Sequence, residues 1–476
     1  MDNSSEITRV AIIGGGPGGL LTAYLLEHKY AAPVEITLFE ASNRLGGKIV
    51  AGTFSDGCSG YEAGAAELYD YSQAGPDPLR ELIDELGLGT RPMGGRAIFL
   101  GDRLLGTEDD LAEFAGAKSM QTYRAFARRA RSLITPQDYY ESDWQEDNND
   151  PLARQSFEAL LDGITDPVVR KYIEVCVHSD VAAEPRDTNA SYGLQNFLMN
   201  EPGYMSLYTI VGGIERLPVE IARRLSARIR LNSRIERVER IDDETYELSV
   251  RHGGQTTVEE FDAVVCALPN NWIPAIDWAG PGLARAMRDH HAHYDHPAHY
   301  LRVSIRFKHP FWRETVSGSY FMLDAFGGCC VYDESSRCHE TSAGVLGWLL
   351  GGDAALTLSN LDDQTLIDRV LDSLPAPLRH GRELAVEGRV HRWVGCVNAL
   401  PGGFPMREPD SRHVPDPKDN PMLFVVGDYL FDSTLNGVFD SADSVAEWIK
   451  EETVEEEPAI APPADVTISE PVSAEK

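Results

Sequence analysis

The chain has 476 residues, 42% of them apolar, enough to bury a sizeable core spread over about two domains. A formal net charge of -32 sets it against nucleic acid and anionic membrane surfaces, since both would repel it. Seven cysteines without CxxC spacing, no apolar leader before the first strand and no run of spanning length together predict a soluble, cytoplasmic protein with free thiols.

Residues 10–13 are a continuous apolar run of the buried-strand type, leading directly into Gly14-Gly15-Gly16-Pro17-Gly18-Gly19. Residues 20–26 then read as a helix packed on a sheet. Gly14, Gly16 and Gly19 stand at the spacing of dinucleotide-binding turns, where backbone closes around a pyrophosphate at a helix N-terminus; Pro17 and Gly18 complete the turn. A second strand over 34–39 ends in Glu40, about twenty residues past the last glycine, where a carboxylate meets a ribose 2′-OH. Up to this point NAD and FAD fit equally.

The loop that follows, Ala-Ser-Asn-Arg-Leu-Gly-Gly-Lys-Ile over 41–49, carries one arginine and two adjacent glycines. Here the sequence resembles the flavin-dependent amine oxidase superfamily, which includes monoamine, polyamine and L-amino acid oxidases and is related to protoporphyrinogen oxidase and phytoene desaturase. The resemblance implies FAD, with Arg44, Gly46 and Gly47 wrapping the pyrophosphate. A guanidinium supplies charge and hydrogen bonds to phosphate, and glycines admit close backbone approach. The segment 61–67 is similar to the family stretch that passes beside the flavin ring, which places Gly64 and Ala65 there. Between 76 and 202 the pattern turns to helical stretches over 79–86, 122–133 and 157–161, predicting an inserted substrate domain. The aromatic and acidic segment 135–151, with Tyr139, Tyr140 and Trp144, is expected to be a surface loop, a lid over the active site being the alternative.

Residues 208–214, a helix over 217–225 and strand-like runs over 229–238 and 246–251 return the chain to the nucleotide domain. The run 261–269 resembles the family strand beneath the cofactor, and the same resemblance puts the backbone of Ile235 at the adenine edge. A second excursion, 272–384, opens with His290, His291, His293 and His296, whose spacing matches no firm ligand pattern; a solvated helix end and no metal are expected. Residues 300–312 strongly resemble the amine oxidase strand ending in Pro-Phe-Trp. Many family members carry a lysine ten positions before that tryptophan, holding a water against flavin N5, and this chain carries Arg302. A guanidinium stays charged and accepts no proton. Arg302 is therefore expected either to position water or clamp a substrate carboxylate, which would favour an amino acid, or to pair with a structural carboxylate. His299 is a second candidate for proton transfer near neutral pH, against an ordinary packing role. Cys329 and Cys330 read as small buried hydrophobes.

Trp393 and the 401–405 run resemble the region beside the flavin where some members place a cysteine that bonds the ring. Phe404 holds that place here, so noncovalent FAD is expected, with Trp393 and Phe404 as pocket walls. The final structured stretch, a strand over 423–426, Gly427-Asp428 and a helix from about 437, resembles the closing FAD motif. It implies Asp428 on the ribityl chain and Asn436, Gly437 and Val438 at a helix N-terminus aimed at the flavin. Val438 replaces the cage tyrosine of monoamine-type members.

The expected fold is α/β: a Rossmann-like FAD-binding domain from 7–75, 205–271 and 385–450, an inserted α+β substrate domain from 76–204 and 272–384, and a disordered acidic tail over 451–476. The expected activity is dehydrogenation of a small-molecule amine or amino acid by hydride transfer to flavin N5, with O2 or another acceptor taking the electrons and peroxide as the O2 product. Alternatives are a desaturase or protoporphyrinogen oxidase-like enzyme acting on C–C bonds, and a flavin-binding partner or maturation factor acting on another protein. A homodimer is one expected assembly.

Overall fold

The computed structural model describes residues 7–95, 97–141, 151–201, 203–337, 343–404, 406–431 and 433–453. Five parallel strands form one sheet, in spatial order Arg228–Arg230, Val34–Phe39, Thr8–Ile13, Ala263–Cys266 and Leu423–Val425. Its central strands read as continuous apolar runs because both faces are covered. Val10 and Ile12 join a core with the helices Pro17–Tyr24 and Leu435–Thr453, while Ala11 and Ile13 face a four-stranded sheet through Ile235, Val238 and Leu248. Numbered along the chain, the strand order is 3-2-1-4-5. The reversal between the Thr8–Ile13 and Ala263–Cys266 strands opens a crevice at their carboxyl ends, the usual ligand position in such sheets.

A seven-stranded sheet stands beside it, in order Ala385–Asn398, Pro297–Phe307, Gly344–Gly351, Cys329–Asp333, Tyr320–Leu323, Ile98–Leu100 and Arg103–Leu105. Alternation along Pro297–Phe307 sends Leu301, Val303, Ile305 and Phe307 into an apolar core with Trp348, and turns Arg302 and Ser304 to the opposite face. The helices Ala117–Leu133, Pro167–Val181 and Ala190–Leu198 cover that second face and share a core with Cys330 and Tyr332.

Five expectations change. The 229–238 run is two strands in different sheets, Arg228–Arg230 and Ser233–Arg240, separated at Asn232, whose φ is 51°. The Ala385–Asn398 strand, grouped by sequence with the FAD segments, pairs along Pro297–Phe307 in the seven-stranded sheet. His290 does not sit at a solvated helix end: it is fully buried, with Nε2 3.1 Å from the Tyr429 hydroxyl. Residues 451–453 continue the Leu435–Thr453 helix, while 454–476 lie outside the described residues. Within 135–151, Tyr139 is buried among Tyr71 and Tyr204, and 142–150, with Trp144, lie outside the described residues. Among the described residues no helix is long and apolar enough to cross a membrane.

Candidate active site

The crevice is a cleft of about 480 Å³. Gly14, Gly16, Pro17, Gly18, Glu40, Gly47, Ile235, Gly427, Asp428 and Val438 line it, ten residues drawn from chain stretches far apart in sequence. Gly14 has φ 114°, and a Cβ there would stand 2.7 Å from the Ala267 carbonyl oxygen, so the turn between the two central strands admits no side chain. Gly16 caps the Pro17–Tyr24 helix without a side-chain hydrogen bond, leaving first-turn N–H groups for a ligand, and Gly19 is buried in that turn. An uncapped helix N-terminus at the floor of a deep cleft suits the pyrophosphate of a dinucleotide. Glu40 is fixed at the lip, accepting from Gly15 N at 2.8 Å and Ser42 N at 2.7 Å.

Arg44 does not line the cleft. Its guanidinium donates to the carbonyls of Leu45, Ile49 and Gly47, at 3.2, 3.3 and 2.6 Å, and so turns back on its own loop. Gly46 is behind the lining too; its N–H donates to the Gly15 carbonyl at 2.8 Å and ties loop to turn.

A second cavity of about 190 Å³ continues from the cleft, sharing Pro17, Lys48, Trp393, Cys396, Asp428 and Val438 with it. Gly64 and Ala65 line this chamber, and a Cβ on Gly64 would fall 1.9 Å from the Lys48 carbonyl oxygen. Trp393 is positioned by Nε1 donating to the Ala63 carbonyl at 2.7 Å. Lys48, to which sequence reasoning assigned no role, ion-pairs with Asp428 and donates to the Cys396 carbonyl at 3.1 Å. A cation directly after Gly46-Gly47 was the available signal. The Leu435–Thr453 helix starts at the chamber through Leu435 and Val438. Asn436 turns away to Asp77, with Nδ2 to Oδ1 3.3 Å, and the Gly437 N–H donates to Thr434 Oγ1; neither lines the cleft or the chamber.

Two expected site residues are elsewhere. His299 lies outside both cavities, its Nδ1 accepting from Gly395 N at 2.9 Å. A register irregularity between Ala298 and Tyr300 breaks the strand's pairing at this point, and Tyr300 and Arg302 are the residues of the strand that reach the chamber. Phe404 is half exposed and packs against His296 at a 4.4 Å ring separation, so it is no pocket wall; its loop runs over the surface.

Arg302 lines the chamber, yet it is 1% exposed and its charge is matched. One guanidinium nitrogen meets Glu334 Oε1 at 2.7 Å and another donates to the Gly64 carbonyl at 3.0 Å. Of the roles open to it in sequence, the structure shows pairing with a structural carboxylate, Glu334. Arg337 continues the network, ion-paired to Glu334 at 2.9 Å and hydrogen-bonded to the Ala66 carbonyl. Glu62 accepts from Ile214 N, and burial pushes its carboxyl up to about 7 against the pull of Arg337. Two arginines and two glutamates thus fasten the 62–66 backbone to the seven-stranded sheet.

Two further carboxyls line the chamber, Glu67 and Asp180, under Tyr69, Tyr192, Tyr300 and Tyr332. Burial pushes both above the ordinary carboxylate range, and the charge of Glu67 adds to the shift at Asp180.

A cleft at the switch point of a doubly wound sheet, continuing into a second chamber, is the arrangement of a dinucleotide-binding protein. Residues 17–449 match the model of the flavin containing amine oxidoreductase family, and the chain belongs to that family. It is an FAD-dependent oxidoreductase. Among solved structures, the fold is similar to wild-type putrescine oxidase bound to putrescine, with TM-score 0.72, 19% identity, and coverage of 93% of this chain and 99% of that one. It is also similar to cyclohexylamine oxidase from Brevibacterium oxydans IH-35A, with TM-score 0.67, 17% identity, and coverage of 94% and 99%. A curated relative, the Bos taurus protein "Prenylcysteine oxidase 1-like", is 32% identical over 105 residues, 22% of this chain and 20% of that protein. The chain thus spans about a fifth of that relative's length.

Proposed function

We propose that the chain binds FAD noncovalently in the cleft and oxidises a small primary amine held in the chamber. The observation that carries this reading is the chamber's lining: tyrosines and two carboxyls that no cation partners, next to a cofactor cleft, which suits an ammonium and repels a substrate carboxylate. A long apolar polyene would leave those carboxyls buried without compensation, which weighs against C–C desaturation.

Gly14, Gly16 and the Pro17–Tyr24 helix N-terminus would hold the pyrophosphate, Glu40 the ribose, the Ile235 segment the adenine edge, and Asp428 the ribityl chain. Gly64, Ala65 and Val438 would border the ring, and Trp393 would wall the substrate beside it. When bound, FAD supplies a two-electron acceptor. The amine loses a hydride from its α-carbon and a proton from nitrogen, and water then converts the resulting imine to a carbonyl product and ammonia. The chain's share is orientation and exclusion of bulk water, and no protein nucleophile is needed.

The test is the visible spectrum of the purified protein followed under anaerobic conditions against panels of amines, amino acids and polyenes. Bleaching of a yellow protein by amines is expected, and bleaching by a polyene alone would overturn the assignment. Cys396 lines the cleft, so denaturation is the check on attachment: noncovalent FAD is released into the supernatant.

A further inference from the structure

We infer that the indole of Trp272 is the platform on which the adenine of FAD stacks, and that this side chain makes the protein select FAD over FMN, which lacks the adenylate half. The inference rests on the FAD reading above and adds a residue that neither the glycine turn nor the closing Gly427-Asp428 motif includes.

Trp272 is 49% exposed, and of the large apolar side chains that the described residues leave exposed it alone lines the cleft or the chamber. A single apolar residue on an outer surface is ordinary. An indole held open inside a ligand cleft has a ring face for a ligand to cover, and a purine base is a flat partner for it.

Position along the cleft fits the adenine end. Lys48, Trp393, Cys396, Asp428 and Val438 line both cavities and mark the end where the flavin ring would sit. Trp272 lines the cleft but not the chamber, as do Glu40 and Ile235. Ile273 and Ile276, which flank its turn, share an apolar core with Ile235, so the turn is packed beside the segment assigned to the adenine edge. Leu268, Pro269 and Ala275 line the cleft as well. Apolar walls around an indole suit a heteroaromatic base rather than a phosphate or a ribityl chain.

The backbone that presents Trp272 is fixed on both sides. The residue lies in a short 3-10 helix, Asn270–Ala275, that follows the Ala263–Cys266 strand at the point where the sheet order reverses. Asn270 is buried; its Nδ2 donates to the His291 carbonyl at 3.1 Å, and His291 Nδ1–H donates back to the Asn270 carbonyl at 3.1 Å. Ile273 is buried too, and its carbonyl accepts from Trp278 Nε1 at 2.9 Å. The Trp272 N–H donates to the Pro269 carbonyl at 2.9 Å. With its flanks anchored in this way, the indole loses little further backbone freedom when a base settles on it.

The experiment frees the full-length protein of flavin and measures its affinity for FAD and for FMN by calorimetry. The wild type is expected to bind FAD the more tightly. Trp272→Ala should weaken FAD by about 10- to 100-fold, the scale of one base–aromatic stack, and change FMN by less than about twofold. Trp272→Phe keeps a ring face and should recover most of the FAD affinity. A merely structural role would move both flavins together. ADP, which carries the adenine but no flavin ring, gives a second readout: it should quench indole emission in the wild type and quench it less in Trp272→Phe while still binding. FAD affinity unchanged in Trp272→Ala, equal losses of FAD and FMN, a wild type that binds the two flavins equally, or ADP quenching of the same depth in wild type and Trp272→Phe would each overturn the inference. If the wild type binds no flavin, the FAD reading itself fails; if it binds FAD and no amine bleaches it, the amine assignment falls and the role of Trp272 stands.

Discussion

Arg302 illustrates how one side chain's chemistry depends on its partner. Its guanidinium is almost fully buried, and Glu334 both neutralises it and anchors Arg337. Glu334→Gln leaves a buried cation without compensation and is expected to cost about 3–5 kcal/mol in urea denaturation. Adding Arg302→Met to Glu334→Gln should recover part of that cost, since one of the two arginines paired by Glu334 is then gone, while Arg337 keeps only Glu62 at 3.8 Å. Gly64 makes a different kind of demand, because any Cβ meets the Lys48 carbonyl. Gly64→Ala must move the chamber wall, costing about 1–3 kcal/mol, and purified protein should carry less flavin per chain by its visible-to-ultraviolet absorbance ratio.

Among the elements, the Pro297–Phe307 strand decides which neighbours in sequence share the chamber. His299 and Arg302 are three residues apart, an odd spacing that a regular strand sends to opposite faces. The irregularity between Ala298 and Tyr300 leaves Tyr300 and Arg302 at the cavity and His299 bonded to the Gly395 N–H. His299→Ala is accordingly expected to change kcat within about twofold, the scale of substitutions remote from the chemistry, and a loss of several orders would reverse that placement. The glycine turn was legible because its strand, spacing and helix are all local. The chamber was not, because Glu67, Asp180 and Tyr332 come from a loop, a helix and a strand with no shared motif.

At the scale of the molecule, stability against acid depends on groups buried between elements. His413 is 1% exposed, packed against Phe431 and Trp448, and its Nδ1–H donates to the Val425 carbonyl at 3.0 Å. Burial lowers its pKa from 6.5 to about 4. An unfolded chain takes up that proton near 6.5 while the folded protein refuses it until about 4, so this contribution is intact above 6.5 and is lost as pH falls through that window. The urea midpoint should drop between pH 7 and pH 4.5, and less steeply in His413→Asn.

What the sequence determined by itself was the cofactor: a glycine turn, a loop with two glycines and a closing Gly427-Asp428 each form their local geometry from adjacent residues. It also marked Arg302, Phe404 and Val438 as departures from the family pattern. Tertiary structure decided what those departures mean. Phe404 lies on the surface, Val438 lines both cavities, and Arg302 is neutralised by a glutamate thirty-two residues away. Strand pairing and sheet packing also brought Glu67 and Asp180 into one chamber with Lys48 and Arg302, whose ion pairs are made to other carboxylates. A charge balance of that kind is a sum over space, and adjacency along the chain carries no record of it.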